Sequence, residues 1–222
     1  MVINDIDEEA LHSAVAQISY DNPDQCTAVA GDASDINIIE KMISTAVDTY
    51  GGLDIAVANA GITTFGSFLD YTPEQFQSLV SLNLQGSFFL AQKAAKQIIK
   101  QKNDGRILLM SSVTGHQYHP DLAAYGMSKA AIRMMAKTLG VELAPHNITV
   151  NAISPGATLT ERTLEDNNYT AEWSAITPTG KPSTTADIAH TALFFLSPQT
   201  HQITGQTIVV DGGWTATSPP PK

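Results

Sequence analysis

The chain has 222 residues, 43% of them hydrophobic and 15% charged, with a formal net charge of −10. These values are those of a globular chain long enough for one large α/β domain, and the acidic balance argues against binding nucleic-acid phosphates or an anionic membrane. A single cysteine, Cys26, excludes an intrachain disulfide, and no apolar run reaches the roughly 20 residues of a membrane span or the layout of a signal peptide, so the expectation is a cytoplasmic protein.

Residues 2–5 (VIND) read as a short strand, and Asp7, Glu8 and Glu9 as the acidic first turn of a helix running to about Tyr20. Strand-like runs then alternate with helical patterns: strand 26–32, helix 35–50, strand 53–61, a long helix 73–102 and strand 106–112. A helix from about Leu122 to Leu143 leads to strand 148–156, followed by a polar, irregular stretch, a helix over 184–197 and a last strand over 206–213. The strands are apolar on both faces and separated by crossovers long enough for helices. That pattern predicts an α/β fold, a doubly wound parallel sheet of Rossmann-like type, with its ligand crevice beyond the carboxyl ends of the strands. A single domain is expected over 1–216, with a proline-rich tail over 217–222.

Tyr125 and Lys129 are four apart on a predicted helix and share a face, and Ser112 ends the preceding strand. A tyrosine and a lysine at this spacing are common in helices. Beside a serine at the crevice they suit a carbonyl/alcohol couple, because an ammonium makes a phenol a better acid/base near neutrality and a hydroxyl can hold the substrate oxygen. Asn83 falls on a largely apolar helical stripe with Phe76, Val80, Ser87 and Leu90. It reads equally as an internally bonded amide and as one that organises water beside a site. Residues 58–61 (ANAG) and 154–156 (SPG) end strands with small residues that admit a ligand to the backbone. Asp5 and Asp32 stand at strand ends, where a carboxylate can accept from ribose hydroxyls. His116 and His119 have no further ligands at metal spacing and read as loop residues, so no metal site is expected.

In order, Asp32, NAG (59–61), Asn83, Ser112 thirteen residues before Tyr125, YGMSK, NAISPG and ITGQTIVVDGG resemble the short-chain dehydrogenase/reductase family over nearly the whole chain. The resemblance implies a hydride transfer between a nicotinamide dinucleotide and an alcohol or ketone. In it Tyr125 is the acid/base, Ser112 orients the substrate oxygen, Lys129 assists Tyr125 and bonds the nicotinamide ribose, and Asn83 holds a relay water. It further implies that Asp32 meets the adenine ring and that Asn59, Ala60 and Gly61 border the adenosine side. Pro155, Gly156, Thr158 and Thr160 border the nicotinamide, and Asp5 selects NAD over NADP. The family's strand order is 3-2-1-4-5-6-7, with homodimers or homotetramers formed through the two long helices.

The departure from the family pattern is at the front. The family's first strand and its T-G-x-x-x-G-x-G turn, which wraps the pyrophosphate, do not occur in these residues. The missing strand would lie between residues 2–5 and 53–58. The expectation is a native polypeptide that starts upstream of Met1, or a short form weak in cofactor binding; the rival reading is a silent homologue that assembles with partners. For the substrate, the loop over 114–122 and residues 157–183, which the resemblance places where the family has its substrate lid, hold Tyr118, Tyr169 and Trp173 and suit a sugar, polyol, hydroxy-acyl or cyclic alcohol. His116 and His119 read equally as contacts to it and as solvent-facing loop residues.

Overall fold

The computed structural model describes residues 1–21 and 24–217. The tail expected over 217–222 therefore lies, apart from Thr217, outside the described residues.

In chain order, β1 (Val2–Asp5), α1 (Glu8–Asp21), β2 (Thr27–Ala30), α2 (Ile36–Tyr50) and β3 (Ile55–Ala58) form the first half. Next come α3 (Pro73–Val80), a π-helical turn (Ser81–Gly86), α4 (Ser87–Gln101), β4 (Gly105–Met110), α5 (Ala123–Glu142) and β5 (Ile148–Pro155). The lid region holds β6 (Thr158–Leu159), α6 (Glu161–Leu164), α7 (Tyr169–Ile176) and β7 (Ser183–Thr184), and α8 (Thr185–Leu196) and β8 (Thr207–Val210) close the fold. Two expectations change. The single helix predicted over 73–102 is interrupted by the π-helical turn, and the irregular stretch contains two short helices and a small parallel ladder, β6 with β7.

Local chemistry accounts for the boundaries. Asp35 caps α2 by accepting from the amide of Asn37 at 2.8 Å, and α2 ends where Gly51 takes a left-handed φ of 83°. Thr72 and Gln75 make a reciprocal capping box at the start of α3, with Pro73 in its first turn. The strands β4 and β5 are buried along nearly their whole length, as expected for parallel strands covered on both faces.

All strand pairs are parallel. The ladders are β1 with β2, and β3-β4-β5-β8, with Ile107 opposite Val150 and Ile153 opposite Ile208. Helices α4 and α5 lie on one face, where Ala91, Ala94, Ala95, Ile98, Ile132 and Ala136 pack on Ile107, Leu109, Val150 and Ala152. Three alanines let α4 come close to the strands, and full burial of Ile98 contributes about 2 kcal/mol. On the other face Phe195 of α8 packs with Leu108 and Ile153. Between β1 and β3 the described residues form no ladder. In β3, Ala56 and Ala58 are buried while Ile55 and Val57 are 44% and 39% exposed. The two sheets are joined instead by α2 packing on α4 and by the turn before α2, where Gly86, at the end of the π-helical turn, sits so close to Ala33 that a Cβ there would lie 2.7 Å from the Ala33 carbonyl oxygen. No helix among the described residues is long and apolar enough to cross a membrane.

Candidate active site

Ser112, Tyr125 and Lys129 meet at the carboxyl ends of β4 and β5. With Asn59, Gly61, Pro155, Gly156, Thr158 and Thr160 they line one cavity of about 320 Å³. A larger depression of about 800 Å³ lies at the amino ends of the strands, bordered by Asp54, Asp104, Asn147 and His201. It holds none of the three, so the smaller cavity is the candidate site.

The turn Val113–Gly115 fixes Ser112. The Ser112 Oγ accepts from the Thr114 amide at 3.2 Å and from the Thr114 hydroxyl at 3.0 Å. With both lone pairs engaged, its own proton is free to be donated into the cavity. Arg133 donates to the Gly115 carbonyl at 2.6 Å, and His116 Nε2 lies 2.9 Å from the hydroxyl of fully buried Ser154. Gly115 is required by close approach, since a Cβ would sit 2.7 Å from the Lys129 carbonyl carbon.

Lys129 is buried, and its Nζ donates to the Met110 carbonyl at 2.9 Å. The same Nζ stands 5.6 Å from the centre of the Tyr125 ring. Burial pushes the ammonium down from 10.5 to about 8. The backbone carbonyl of Lys129 accepts from Ser111 Oγ at 2.7 Å, so both ends of the residue are held by the end of β4. For His116, burial followed by the Arg133 charge lowers the imidazole, against the opposing pull of Asp211. Burial raises the Asp211 carboxyl, but bonds donated by Thr215 and Gly213 outweigh it and keep the group below its usual value.

Asn83 sits in the π-helical turn, is fully buried, and does not line the cavity. Its Oδ1 accepts from the Ile62 amide at 2.9 Å, and its Nδ2 donates to the Ile62 carbonyl at 3.0 Å and to Ser128 Oγ at 3.2 Å. Ser128 in turn donates to the Tyr125 carbonyl at 2.7 Å, so the amide ties the segment after β3 to the first turn of α5. Its carbonyl is taken by Ser87 Oγ at 2.8 Å. A Cβ at Gly61 would come within 3.1 Å of Asn83 Oδ1 and 3.3 Å of Lys129 Nζ, so Gly61 leaves both groups room.

Asp5 and Asp32 are exposed at the carboxyl ends of β1 and β2, apart from that cavity lining. Each accepts from a backbone amide two residues on, Asp7 at 2.9 Å and Ser34 at 2.7 Å. Ala60 is also outside the lining. Residues that line the cavity without having been singled out from sequence include Thr63, Arg162 and Thr163. Arg162 carries one available signal: it is the first cation after SPG. The lid brings in an aromatic group as well. Tyr169 lines the cavity and accepts from the Thr158 amide at 3.2 Å; Trp173 packs on Tyr169, His119 and Trp214, with ring centres 6.1, 6.4 and 5.2 Å away. Burial raises the Tyr169 phenol, while the Thr158 amide and the Arg162 charge pull it down. The cavity wall offers hydroxyls, an amide and two cations with no carboxylate, a donor set suited to the ribose, carboxamide and phosphate oxygens of a dinucleotide.

A family model described as Enoyl-(Acyl carrier protein) reductase matches residues 1–215. A short-chain dehydrogenase/reductase of Armillaria gallica is 36% identical over 225 residues, covering 96% of this chain and 85% of the relative. A gluconate 5-dehydrogenase from Burkholderia cenocepacia, solved in complex with NADP and tartrate, superposes with a TM-score of 0.88 at 27% identity, covering 98% of this chain and 86% of that one. A 3-ketoacyl-(acyl-carrier-protein) reductase from Brucella melitensis, complexed with NADH, gives 0.89 at 29% identity over 96% of this chain and 87% of its own.

Proposed function

The chain belongs to the short-chain dehydrogenase/reductase family of hydride-transfer oxidoreductases that act on alcohols and ketones, and on that premise we propose that it uses NAD(H) at the Ser112–Tyr125–Lys129 cavity. The observation that carries this reading is the convergence of those three side chains on one cavity at the carboxyl edge of the sheet. We place the protein in the cytoplasm.

In the reductive direction, Ser112 donates its free proton as a hydrogen bond to the substrate carbonyl and fixes its orientation. Tyr125 is the group that gives its phenolic proton to that oxygen. The Lys129 ammonium beside the ring stabilises the phenolate left behind. Ser111 and Met110 hold Lys129 in place, and Asn83, through Ser128, sets the first turn of α5. The nicotinamide dinucleotide supplies or accepts the hydride when bound. Thr158, Thr160, Pro155 and Gly156 would hold its nicotinamide end and Lys129 its ribose, with Asn59, Ala60, Gly61 and Asp32 on the adenosine side. Asp5 would favour NAD by repelling a 2′-phosphate. The substrate is a small alcohol or ketone of sugar, polyol, hydroxy-acyl or cyclic type; the gluconate 5-dehydrogenase likeness supports the polyhydroxylated end of that range. Homodimers or homotetramers through α4 and α5 fit the exposed Phe88, Met127, Met134 and Val141 on those helices.

Tyr125→Phe tests the assignment. Turnover on a substrate panel, read by NADH oxidation, is expected to fall by about 10²–10⁴, with NADH affinity by fluorescence titration little changed. Retained turnover would remove Tyr125 as proton donor.

A further inference from the structure

The chain carries 22 acidic residues and a net charge of −10, yet no aspartate or glutamate lines the catalytic cavity, whose two cations are Lys129 and Arg162. Lys129 is buried and committed to the Met110 carbonyl and the Tyr125 ring. Arg162 is not committed. It is exposed, and the one ion pair among the described residues is Lys93 with Glu40. Glu161 and Glu165 flank it in sequence but neither lines the cavity nor pairs with it.

The cavity-lining groups nearest Arg162 in the chain, Thr158, Thr160, Thr163 and Tyr169, are uncharged, and most of their polar atoms are already bonded. Thr163 Oγ1 lies 3.0 Å from the Thr158 carbonyl and 3.2 Å from Thr160 Oγ1. The Tyr169 phenol accepts from the Thr158 amide, and the Arg162 charge acts on that phenol. A fork of N–H donors is thus presented, without a counter-ion, on the lid side of the cavity that also holds Tyr125. A guanidinium matches a carboxylate bidentately.

We propose that Arg162 binds the carboxylate of the substrate, so that the enzyme acts on a hydroxy or keto acid in preference to the neutral polyol of the same length. This rests on the reading of the cavity as the catalytic site. The other source of anionic oxygen, the cofactor phosphates, predicts a different outcome below.

The test uses two six-carbon probes that differ at one end, D-gluconate and sorbitol. Each is titrated calorimetrically into the wild-type protein and into Arg162→Met and Arg162→Lys, with and without NADH. Loss of the fork is expected to weaken gluconate by about tenfold to a hundredfold in Arg162→Met, and by less in Arg162→Lys. Sorbitol and NADH should change by less than about twofold, at unchanged thermal stability. An equal loss for both probes, or a loss of NADH affinity with the gluconate-to-sorbitol ratio unchanged, would overturn the proposal; the latter assigns Arg162 to the cofactor phosphates. Failure of the wild type to bind gluconate would overturn it too. Because binding is read directly, a protein that holds gluconate through Arg162 but transfers no hydride would contradict the catalytic reading alone.

Discussion

Lys129 shows what the site costs at the scale of one residue. Its ammonium is buried and brought down to about 8, so below that pH the folded chain bears the whole cost of an enclosed charge. Between about 8 and the ordinary 10.5 the folded state gives up its proton first, the unfolded state binds more protons, and stability rises with pH. Lys129→Met should therefore be more stable than the wild type by about 1–3 kcal/mol near pH 7, with the gap closing above about pH 10. Urea unfolding at both pH values measures this, and turnover by the variant should be lost. Wild-type turnover should decline as pH rises through about 8, where the ammonium disappears. Asp5 supports a second expectation: Asp5→Ser should raise NADP(H) use relative to NAD(H), read as the ratio of kcat/KM values, by about tenfold, since a like charge close to a 2′-phosphate is removed. Spacing and strand ends raised Ser112, Tyr125 and Lys129 only as candidates, the ordered family motifs supplied their roles, and the fold brings the three to one cavity. Arg162 was not legible, because its one signal, being the first cation after SPG, does not separate a cavity wall from solvent.

Among the elements, the turn after β4 decides how well Ser112 is aimed. Gly115 lies against the α5 backbone, where a Cβ would meet the Lys129 carbonyl carbon at 2.7 Å and the Ala130 nitrogen at 2.8 Å. Backbone cannot swing aside as a flexible side chain can. Gly115→Ala is expected to cost about 1–3 kcal/mol in urea unfolding and to lower kcat more than it raises the NADH dissociation constant. The long helix after residue 73 was legible as a helix, whereas its π-helical turn was not: the stripe read at ordinary helical spacing runs through Phe76 and Val80, but the extra residue of the turn displaces it, so that Leu79 is fully buried and Phe76 is 43% exposed. That turn lets Asn83 face inward and bond both polar atoms of Ile62. The lid looked irregular in sequence because its helices, four and eight residues long, are too short to show a period.

For the molecule as a whole, alternating apolar strands and long crossovers predicted the parallel topology, and the resemblance placed an interruption between residues 2–5 and 53–58. The hydrogen-bonded order follows that pattern, with separate ladders β1-β2 and β3-β4-β5-β8. No ladder joins them among the described residues, and their union rests on helix packing and on the meeting of Gly86 with Ala33. Such a division favours separate opening. Amides of β1 and β2 should exchange with deuterium through openings of lower free energy than those of β4 and β5, by a few kcal/mol. Uniform protection across all four strands would refute this. Asp5 and Asp32 stand on the first ladder, whereas Ser112, Tyr125 and Lys129 belong to the second. A dinucleotide reaching from one to the other would act as a staple, and at a hundred times its dissociation constant would stabilise the joined state by about 2.7 kcal/mol. In this fold the ligand is then a structural part as well as a reagent, and its arrival should be visible as a gain in unfolding cooperativity before any turnover takes place.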